Sequence, residues 1–430
     1  VCNKITGHQQ RTVARDSDDR FFGVAIYHPA MQKGSTIRPF NPCDASQCSH
    51  LCLLRKNALD YTCHCPDHMQ LAADHHTCTH SSNETFVLVS TGRKLLKYYV
   101  DSIVRSAVEE IPISPLYSIA EIAFNFDRNE VYVFDTHHNR IGALNLGMKA
   151  SIFQWTTLVR NDLSLVMGLS YDVNTNNLYW VDMNRQTLEV VSILTHGRAI
   201  LNDQLDKPIS LAIHATLRKF YVGVRSTPSK IMALDMDGTS LEMLMSSNNG
   251  LPLAIITDGA NQLLWGDPVM QQIEVVELMD ATRAVSQQHK LISKSVETIN
   301  SIAINGNGTV YWTNVETAAF YYSTLESTTE NGQKISKRMV FEKRIIDHTV
   351  NPDQLKLLVA TKQKVVIDDC HPTKHRCAHI CVLARVASKC KCALGYSTTD
   401  DGTTCTLDKK AISKPIMHNN ADSEQWFLDL

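Results

Sequence analysis

Apolar residues in the middle of this chain fall in short blocks rather than at helical intervals, and the blocks repeat. One block has an aromatic or large apolar centre and ends in an acidic or small polar residue. It reads Tyr132-Val133-Phe134-Asp135, Tyr179-Trp180-Val181-Asp182, Tyr221-Val222-Gly223-Val224, Leu264-Trp265-Gly266-Asp267 and Tyr311-Trp312-Thr313-Asn314, with Val87-Leu88-Val89-Ser90 as a degenerate first copy. The fourth positions stand about 45 residues apart, the period of a four-stranded propeller blade. Short apolar runs precede five of the copies: Ile122-Ala123-Phe124, Gly168-Leu169-Ser170, Ser210-Leu211-Ala212-Ile213, Leu253-Ala254-Ile255-Ile256 and Ser301-Ile302-Ala303-Ile304. Turn formers such as Asp172 to Asn177 and Asn305-Gly306-Asn307-Gly308 separate run from motif. Downstream, Thr187 to Ser192 and Ile273 to Glu277 alternate, which suits outer strands exposed on one face; the continuous runs suit a buried inner strand. Asp235-Met236-Asp237-Gly238 reads as a hairpin turn into a last strand.

Six copies predict an all-β, six-bladed β-propeller. A helical solenoid of the same period needs 3.6-residue patterning over helix-length windows, and none is present. The first copy has no inner strand before it. Closing the ring removes the exposed edge, and either Ile345-Ile346-Asp347-His348-Thr349-Val350 or Leu355-Lys356-Leu357-Leu358-Val359-Ala360 can return to fill that place.

Cysteine is absent from the whole propeller region and dense on either side of it. Cys43, Cys48, Cys52, Cys63, Cys65 and Cys78 precede it; Cys370, Cys377, Cys381, Cys390, Cys392 and Cys405 follow. Both sets share C-x3-C, a variable loop, C-x-C and the same interval to the last cysteine. The spacings lack the paired C-x2-C knuckles of zinc sites, so two disulfide-stapled modules in an oxidising, extracellular setting are the expectation. Spacing alone does not choose among the possible pairings. Cys2 is left over and needs a partner outside the sets.

Each six-cysteine pattern resembles an epidermal-growth-factor-like (EGF-like) module. That resemblance implies Cys43–Cys52, Cys48–Cys63 and Cys65–Cys78, and likewise Cys370–Cys381, Cys377–Cys390 and Cys392–Cys405. The whole arrangement resembles the ectodomain of the low-density-lipoprotein (LDL) receptor family, of the receptor-related or yolk-protein-receptor type. There, EGF-like modules flank six-bladed propellers with a Tyr-Trp-Thr-Asp (YWTD) signature. The matches are Tyr179-Trp180-Val181-Asp182, Tyr311-Trp312-Thr313-Asn314, Cys48-Ser49-His50-Leu51-Cys52-Leu53-Leu54 and Tyr61-Thr62-Cys63-His64-Cys65-Pro66. They extend over roughly residues 20 to 406, because Phe22 to Pro29 before Asn41-Pro42-Cys43 looks like the last strand of a preceding propeller. The resemblance implies structural roles for Asp135, Trp180, Asp182, Trp265, Asp267 and Trp312. No blade carries the full tetrad, and Val224, Ser90 and Asn314 replace the acid, which puts some of its backbone ties in doubt.

Catalytic signatures are missing: no H-E-x-x-H, no G-x-S-x-G and no phosphate-cradling glycine loop. Glu121, Asn125 and Asp258 on inner strands are a weak set for a channel metal. After Cys52 and Cys381 come Leu53-Leu54-Arg55 and Val382-Leu383-Ala384-Arg385, without the oxygen ligands of a calcium-binding module. No cofactor is expected. The net charge of −2, without a block of like charges, gives nucleic acid no electrostatic footprint. No apolar run is long enough for a bilayer, and the chain starts without a secretory signal, so targeting and anchor are expected outside this segment.

Two sequons, at Asn83 and Asn307, are glycan acceptors in a secretory context. The chain has 18 histidines, and this side chain titrates between neutral and endosomal pH. His64, His68, His75 and His76 cluster in the first module with His80 beside it; His137, His138, His214 and His348 are further candidates for pH sensing.

These readings divide the chain into the end of a preceding propeller (1–40), an EGF-like module (41–80), a propeller (81–368), a second EGF-like module (369–406), and a linker or the start of another propeller (407–430), where Glu424 to Leu428 has strand character. The resemblance implies a non-enzymatic receptor ectodomain on the extracellular face of the plasma membrane, cycling through endosomes. It would position ligand-binding repeats and assist acid-dependent release, with protein or lipoprotein ligands and the receptor's own repeats as partners. A ligand-binding propeller like those of Wnt co-receptors, or a matrix adhesion protein like the nidogens, are the alternatives.

Overall fold

The computed structural model describes residues 41–55, 60–65, 70–79, 85–99, 108–111, 113, 117–146, 155–278, 289–292, 298–324, 327–330, 333–336, 342–345, 355–360, 369–371 and 373–408. The chain divides into two compact units, Val1–His80 and Ser81–Leu430.

In the first unit, a short 3-10 turn, Pro42–Ala45, is capped by Asn41, whose Oδ1 accepts from Cys43 N at 3.1 Å. Two small hairpins follow, Leu51–Leu54 with Tyr61–His64 and Gln70–Leu71 with Cys78–Thr79. Disulfides join Cys43 to Cys52, Cys48 to Cys63 and Cys65 to Cys78. Covalent links stand in for the core that so few residues cannot build. Asp74 organises the last turn. The Thr77 hydroxyl and the N–H groups of Thr77 and His76 hold its carboxyl down to about 2.

The second unit is a ring of six four-stranded antiparallel sheets. Blade 2 comprises Ile119–Asn125, Glu130–Asp135, Arg140–Asn145 and Trp155–Val159; blade 3 comprises Val166–Asp172, Asn177–Asp182, Thr187–Ser192 and Arg198–Asn202. Blade 4 runs Pro208–His214, Lys219–Val224, Ser229–Asp235 and Glu242–Ser247; blade 5 runs Ala254–Thr257, Gln262–Asp267, Gln272–Glu277 and His289–Ile292. Blade 6 holds Ile302–Ile304, Thr309–Asn314, Ala319–Thr324 and Glu342–Ile345. Blade 1 is made from both ends of the ring: Leu355–Ala360 pairs with Phe86–Thr91, which pairs with Leu95–Tyr99 and then Val108–Ile111. The innermost strands touch their neighbours in cyclic order. Of the two closing candidates, Leu355 to Ala360 takes the inner place, and Ile345 ends the outer strand of blade 6. Residues 346–350 lie outside the described residues.

Burial differs from the expectation drawn from strand patterning. The most completely buried strands are the second ones, Phe86–Thr91, Asn177–Asp182, Lys219–Val224 and Thr309–Asn314. Innermost strands are mostly buried but interrupted by partly buried positions where they border the central channel, among them Ile213, Ile256 and Ile304. Thr187–Ser192, expected to expose one face, is buried throughout. Its Glu189 is matched by Arg198, with Nη2 at 2.7 Å, and by Arg185, with Nε at 3.4 Å. A charged residue thus occupies an interior position at no net violation of pairing.

Blade-to-blade packing is apolar. Trp180 of blade 3 joins a cluster with Tyr132, Phe134 and Ile141 of blade 2, and Trp312 of blade 6 one with Leu264 and Ile273 of blade 5. Beyond the ring, Ile380–Leu383 pairs with Ser388–Lys391 and Tyr396–Thr398 with Cys405–Leu407. Disulfides join Cys370 to Cys381, Cys377 to Cys390 and Cys392 to Cys405. Asp401 accepts from Thr403 and Thr404 N, the turn role that Asp74 has in the first unit. No helix among the described residues is long and apolar enough to cross a membrane.

Candidate functional site

The antiparallel order places the turns between second and third strands at one end of the ring, and those between first and second and between third and fourth strands at the other. At the first end stand the fourth positions of the repeated motif. Asp182 accepts from Ser164 N at 2.7 Å, Leu165 N at 3.1 Å and Arg185 N at 3.1 Å. Asp267 accepts from Leu251 N at 2.7 Å and from Val269 N and Met270 N at 2.9 Å. Burial pushes the Asp267 carboxyl up, against the pull of these three N–H groups. Each acid ties the turn that follows its strand to the loop entering its own blade. Asn314 does so through Thr298 and Thr317, and among the described residues Ser90 accepts a local bond from Gly92 N.

Blade 4 has Val224 there, buried in an apolar cluster. A main-chain tie remains: Arg225 N donates to Lys207 O at 3.0 Å, as Thr136 N does to Ser118 O and Met183 N to Leu165 O. The acid reinforces a connection that the backbone makes without it.

Asp135 gathers the densest polar group at this end. Its carboxylate accepts from Ser118 N at 3.0 Å and His137 N at 3.1 Å, lies 2.5 Å from His138 Nδ1, and pairs with Arg140 Nε at 3.4 Å. The Arg140 guanidinium lies 4.3 Å from the Trp155 ring centroid and 5.3 Å from that of Tyr117. Arginine stacked on aromatics is a common component of protein-binding surfaces. Val269 and Met270, on the corresponding turn of blade 5, are exposed.

The opposite end carries the second disulfide-rich module, seated against blades 3 and 4. Ile380, Val382 and Leu383 are buried with Leu188, Val190, Phe220 and Leu234. Burial of such side chains contributes about 1.5–3 kcal/mol each. Carbonyls of the module strand accept from the propeller: Cys381 O from Asn177 Nδ2 at 2.7 Å, His379 O from Thr195 Oγ1 at 2.5 Å, and Ala384 O from Arg218 Nη1 at 3.2 Å. Leu394 N donates to Arg198 O, and Lys389 Nζ lies 2.5 Å from Asp237 Oδ2. Burial opposes ionisation of Asp237, but Lys389 and Thr239 outweigh it and hold the carboxyl below its usual range.

A central channel of about 640 Å³ runs between the innermost strands. Glu121 pairs with Lys356 at 2.8 Å, and burial raises its carboxyl against the pull of that ammonium. Asn125, offered as a second channel ligand, bonds instead to the hydroxyls of Tyr132 and Tyr171. Asp258 turns its carboxylate to Ala260 N and Gln262 N in a hairpin. The three residues assemble no metal-binding set.

Among the described residues, the candidate histidines have different surroundings. His64 and His75 are exposed; His76 Nδ1 lies 3.5 Å from Cys63 Sγ. His137 and His138 lie edge to face on blade 2. His214 is buried, donating from Nε2 to Ala260 O and accepting from Leu217 N at Nδ1, so it bridges blades 4 and 5 as a neutral ring. Burial lowers its pKa. Asn307 is exposed on the hairpin turn of blade 6. Trp265 is buried in the blade 4–blade 5 cluster. Cys2, His68, His80, Asn83 and His348 lie outside the described residues, as do 1–40 and 409–430.

Sequence reasoning missed the module seam. Asp237 was read as a turn residue, but Lys389 was not singled out, and nothing in the local patterns pairs positions so far apart. It also missed Lys219 and Asp235, buried cross-strand neighbours with 2.8 Å between Nζ and Oδ1. A lysine opposite an aspartate in adjoining motif strands was the available signal.

No protein-family model matches the chain. It is 25% identical over 428 residues to the vitellogenin receptor Yl of Drosophila melanogaster, covering 94% of this chain and 20% of that protein. It is 24% identical over 434 residues to the vitellogenin receptor of Solenopsis invicta, covering 94% and 23%. The chain therefore spans about a fifth of the length of these curated relatives. Among solved structures, a chain of a nidogen/laminin complex matches with a TM-score of 0.54 and 20% identity, covering 65% of this chain and 100% of that one. The last match concerns the fold alone.

Proposed function

We propose, for a chain homologous along 94% of its length to vitellogenin receptors and through them to the LDL receptor family, the role of a non-catalytic ectodomain segment in an outward-facing plasma-membrane receptor for protein or lipoprotein cargo. The observation that carries this reading is the union of the second module with blades 3 and 4. Apolar burial, three carbonyl bonds and one ion pair hold propeller and module within one compact unit. Such a unit fixes the direction in which the chain leaves the ring, which suits a spacer that positions ligand-binding repeats. The missing catalytic constellation and the ion-paired channel fit a scaffold better than an enzyme.

The finer reading is that this unit also assists release of cargo in endosomes, by meeting the receptor's own ligand-binding repeats when acidified. The exposed His137 and His138 beside Asp135 support it, since a positively charged imidazole next to a carboxylate and an arginine changes what that end attracts. The deciding experiment is surface plasmon resonance of this fragment against those repeats, at about pH 7.4 and about pH 5.5. Contact only at the lower pH is the expected result. Absence of contact at both rejects the release role and leaves the spacer role standing. The alternative, a propeller that binds a protein ligand directly, draws on the Tyr117, Arg140 and Trp155 group, and capture of cargo by the fragment without the repeats would favour it.

A further inference from the structure

One turn of the ring holds its shape without using the side chain at its apex. Blade 6 passes from Ile302–Ile304 to Thr309–Asn314 through Asn305-Gly306-Asn307-Gly308. Asn305 organises the turn. Its Oδ1 accepts from Asn307 N at 3.0 Å and Thr309 N at 2.8 Å, its carbonyl accepts from Gly308 N at 3.1 Å, and its own N–H donates to Thr309 O at 3.0 Å. Gly308 reverses the chain at φ +79°, in the left-handed region. The Asn307 side chain takes no part: it is exposed and, among the described residues, has no hydrogen bond. Chain neighbours aside, no atom lies within 4 Å of where a Cβ would stand on Gly306 or Gly308, so the apex is open on both sides.

Asn307-Gly308-Thr309 is a sequon, and an N-linked glycan is a bulky, hydrated group that needs a free amide and open space. Thr309, which completes the signature, is only 7% exposed, so attachment belongs to the nascent chain, before blade 6 closes. The place of this turn in the ring gives the modification a consequence. Asn305 and Gly306 line the central channel, which puts Asn307 at a channel mouth, on the end that carries the second module. In the cyclic order of the blades, blade 6 stands across the ring from blade 3, on which that module rests. The corresponding turn of blade 3 is closed, with Asn174 and Thr175 3% and 2% exposed. No sequon falls on the turns at the Asp135 end.

We propose that Asn307 carries an N-linked glycan which, with the module across the ring, closes this mouth of the channel to macromolecules. In the attachment step the Asn307 amide nitrogen attacks the anomeric carbon of an oligosaccharide carried on a polyprenyl diphosphate. The N–C bond forms, the C–O bond to the diphosphate breaks, the diphosphate leaves with the electron pair, and the amide gives up one proton. Attachment requires the oxidising secretory route to which the disulfides of both modules point, and in that respect alone it rests on the outward-facing role. A large partner then reaches the channel from the Asp135 end only.

The test begins with the chain secreted from insect cells behind a cleavable signal peptide, so that passage through the secretory route is imposed. Enzymatic release of N-glycans in water enriched in heavy oxygen turns an occupied asparagine into a mass-labelled aspartate, and peptide mass spectrometry is expected to find that label at position 307. An unlabelled position 307 in the secreted, disulfide-bonded protein overturns the proposal and leaves the receptor role untouched. Closure of the mouth is read by thiol labelling in a Cys2→Ser background, with Ala260→Cys on the exposed blade 5 turn beside blade 6 and Val269→Cys at the Asp135 end. A maleimide carrying a long polyethylene glycol is expected to react with Ala260→Cys several-fold more slowly before glycan release than after it, and with Val269→Cys at one rate throughout. Adding Asn307→Gln should give the faster rate without enzyme treatment. Equal rates at Ala260→Cys, or the same slowing at both positions, overturn the closure.

Discussion

Lys389 Nζ lies 2.5 Å from Asp237 Oδ2, joining the second disulfide-rich module to the hairpin turn between the last two strands of blade 4. Gly238 follows in the left-handed region at φ +83°, where a Cβ would run into Leu201 O, so this turn holds its shape by a residue without a side chain. The acid is almost wholly buried while the lysine is half exposed. The folded carboxyl titrates below its ordinary value of 3.8, so its stabilising contribution is present above about that pH and is lost as pH falls through the lower folded value. The link therefore survives endosomal acidification. Lys389→Met is expected to cost about 1 kcal/mol in urea unfolding, unchanged between neutral and endosomal pH and smaller at high salt. A loss that grows between pH 7 and pH 5 is the contrary outcome.

The module seat is also vulnerable at Asn177, whose side chain supplies the donor to Cys381 O. Asn177→Ala leaves that carbonyl without its donor inside a buried seam, at a cost of about 1–3 kcal/mol. Hydrogen exchange is the measurement: faster exchange is expected in Ile380–Leu383 and in blade 3, with blades 5 and 6 unchanged.

The motif acids and their replacements behave oppositely under substitution. Asp182→Ala removes three N–H partners at once and is expected to destabilise the propeller by about 3 kcal/mol or more. Restoring the motif in blade 4 brings no gain. Val224→Asp places a charge in an apolar cluster, and the tie from Arg225 N to Lys207 O already exists. A midpoint at or above that of the unaltered protein in thermal unfolding would contradict this.

His214 is expected to make the blade 4–blade 5 junction acid-sensitive. Its folded pKa lies below the ordinary 6.5, so the unfolded chain binds the proton more readily. The stability it supports is present above about pH 6.5 and falls as pH drops below that value toward the folded pKa. His214→Gln is expected to flatten the dependence of the urea midpoint over this window. An unaltered pH slope in the variant assigns the acid response elsewhere.

Lys219 and Asp235 form an ion pair inside blade 4, close in distance but without the angles of a hydrogen bond. Lys219→Met alone strands the buried carboxylate and is expected to cost about 3–5 kcal/mol. Adding Asp235→Leu should recover most of it, read as a coupling in a double-mutant cycle.

Much of the architecture was legible in the sequence because it is written locally and repeatedly. The aromatic block and its apolar partner recur once per blade, as in Tyr179 to Asp182 of blade 3 and Tyr311 to Asn314 of blade 6, and each hairpin requires only near neighbours to form. The homology to vitellogenin receptors agrees with the resemblance read from those blocks and from the cysteine spacing. Burial within a blade was less legible, because alternation in Thr187–Ser192 does not reveal that Arg185 and Arg198 cover Glu189 from other positions.

The sequence by itself determined the number of blades, the all-β class and the disulfide-rich character of the flanks, since strand pattern, turn chemistry and cysteine spacing are properties of short segments. Tertiary structure alone decided that Leu355 to Ala360, and not Ile345 to Val350, closes the ring against Phe86 to Thr91. It alone joined Lys389 to Asp237 and Asn177 to Cys381. The physical reason is the same in each case. These contacts bring together residues far apart in the chain, and their partners are selected by the shape and burial of the closed ring, which no local pattern encodes.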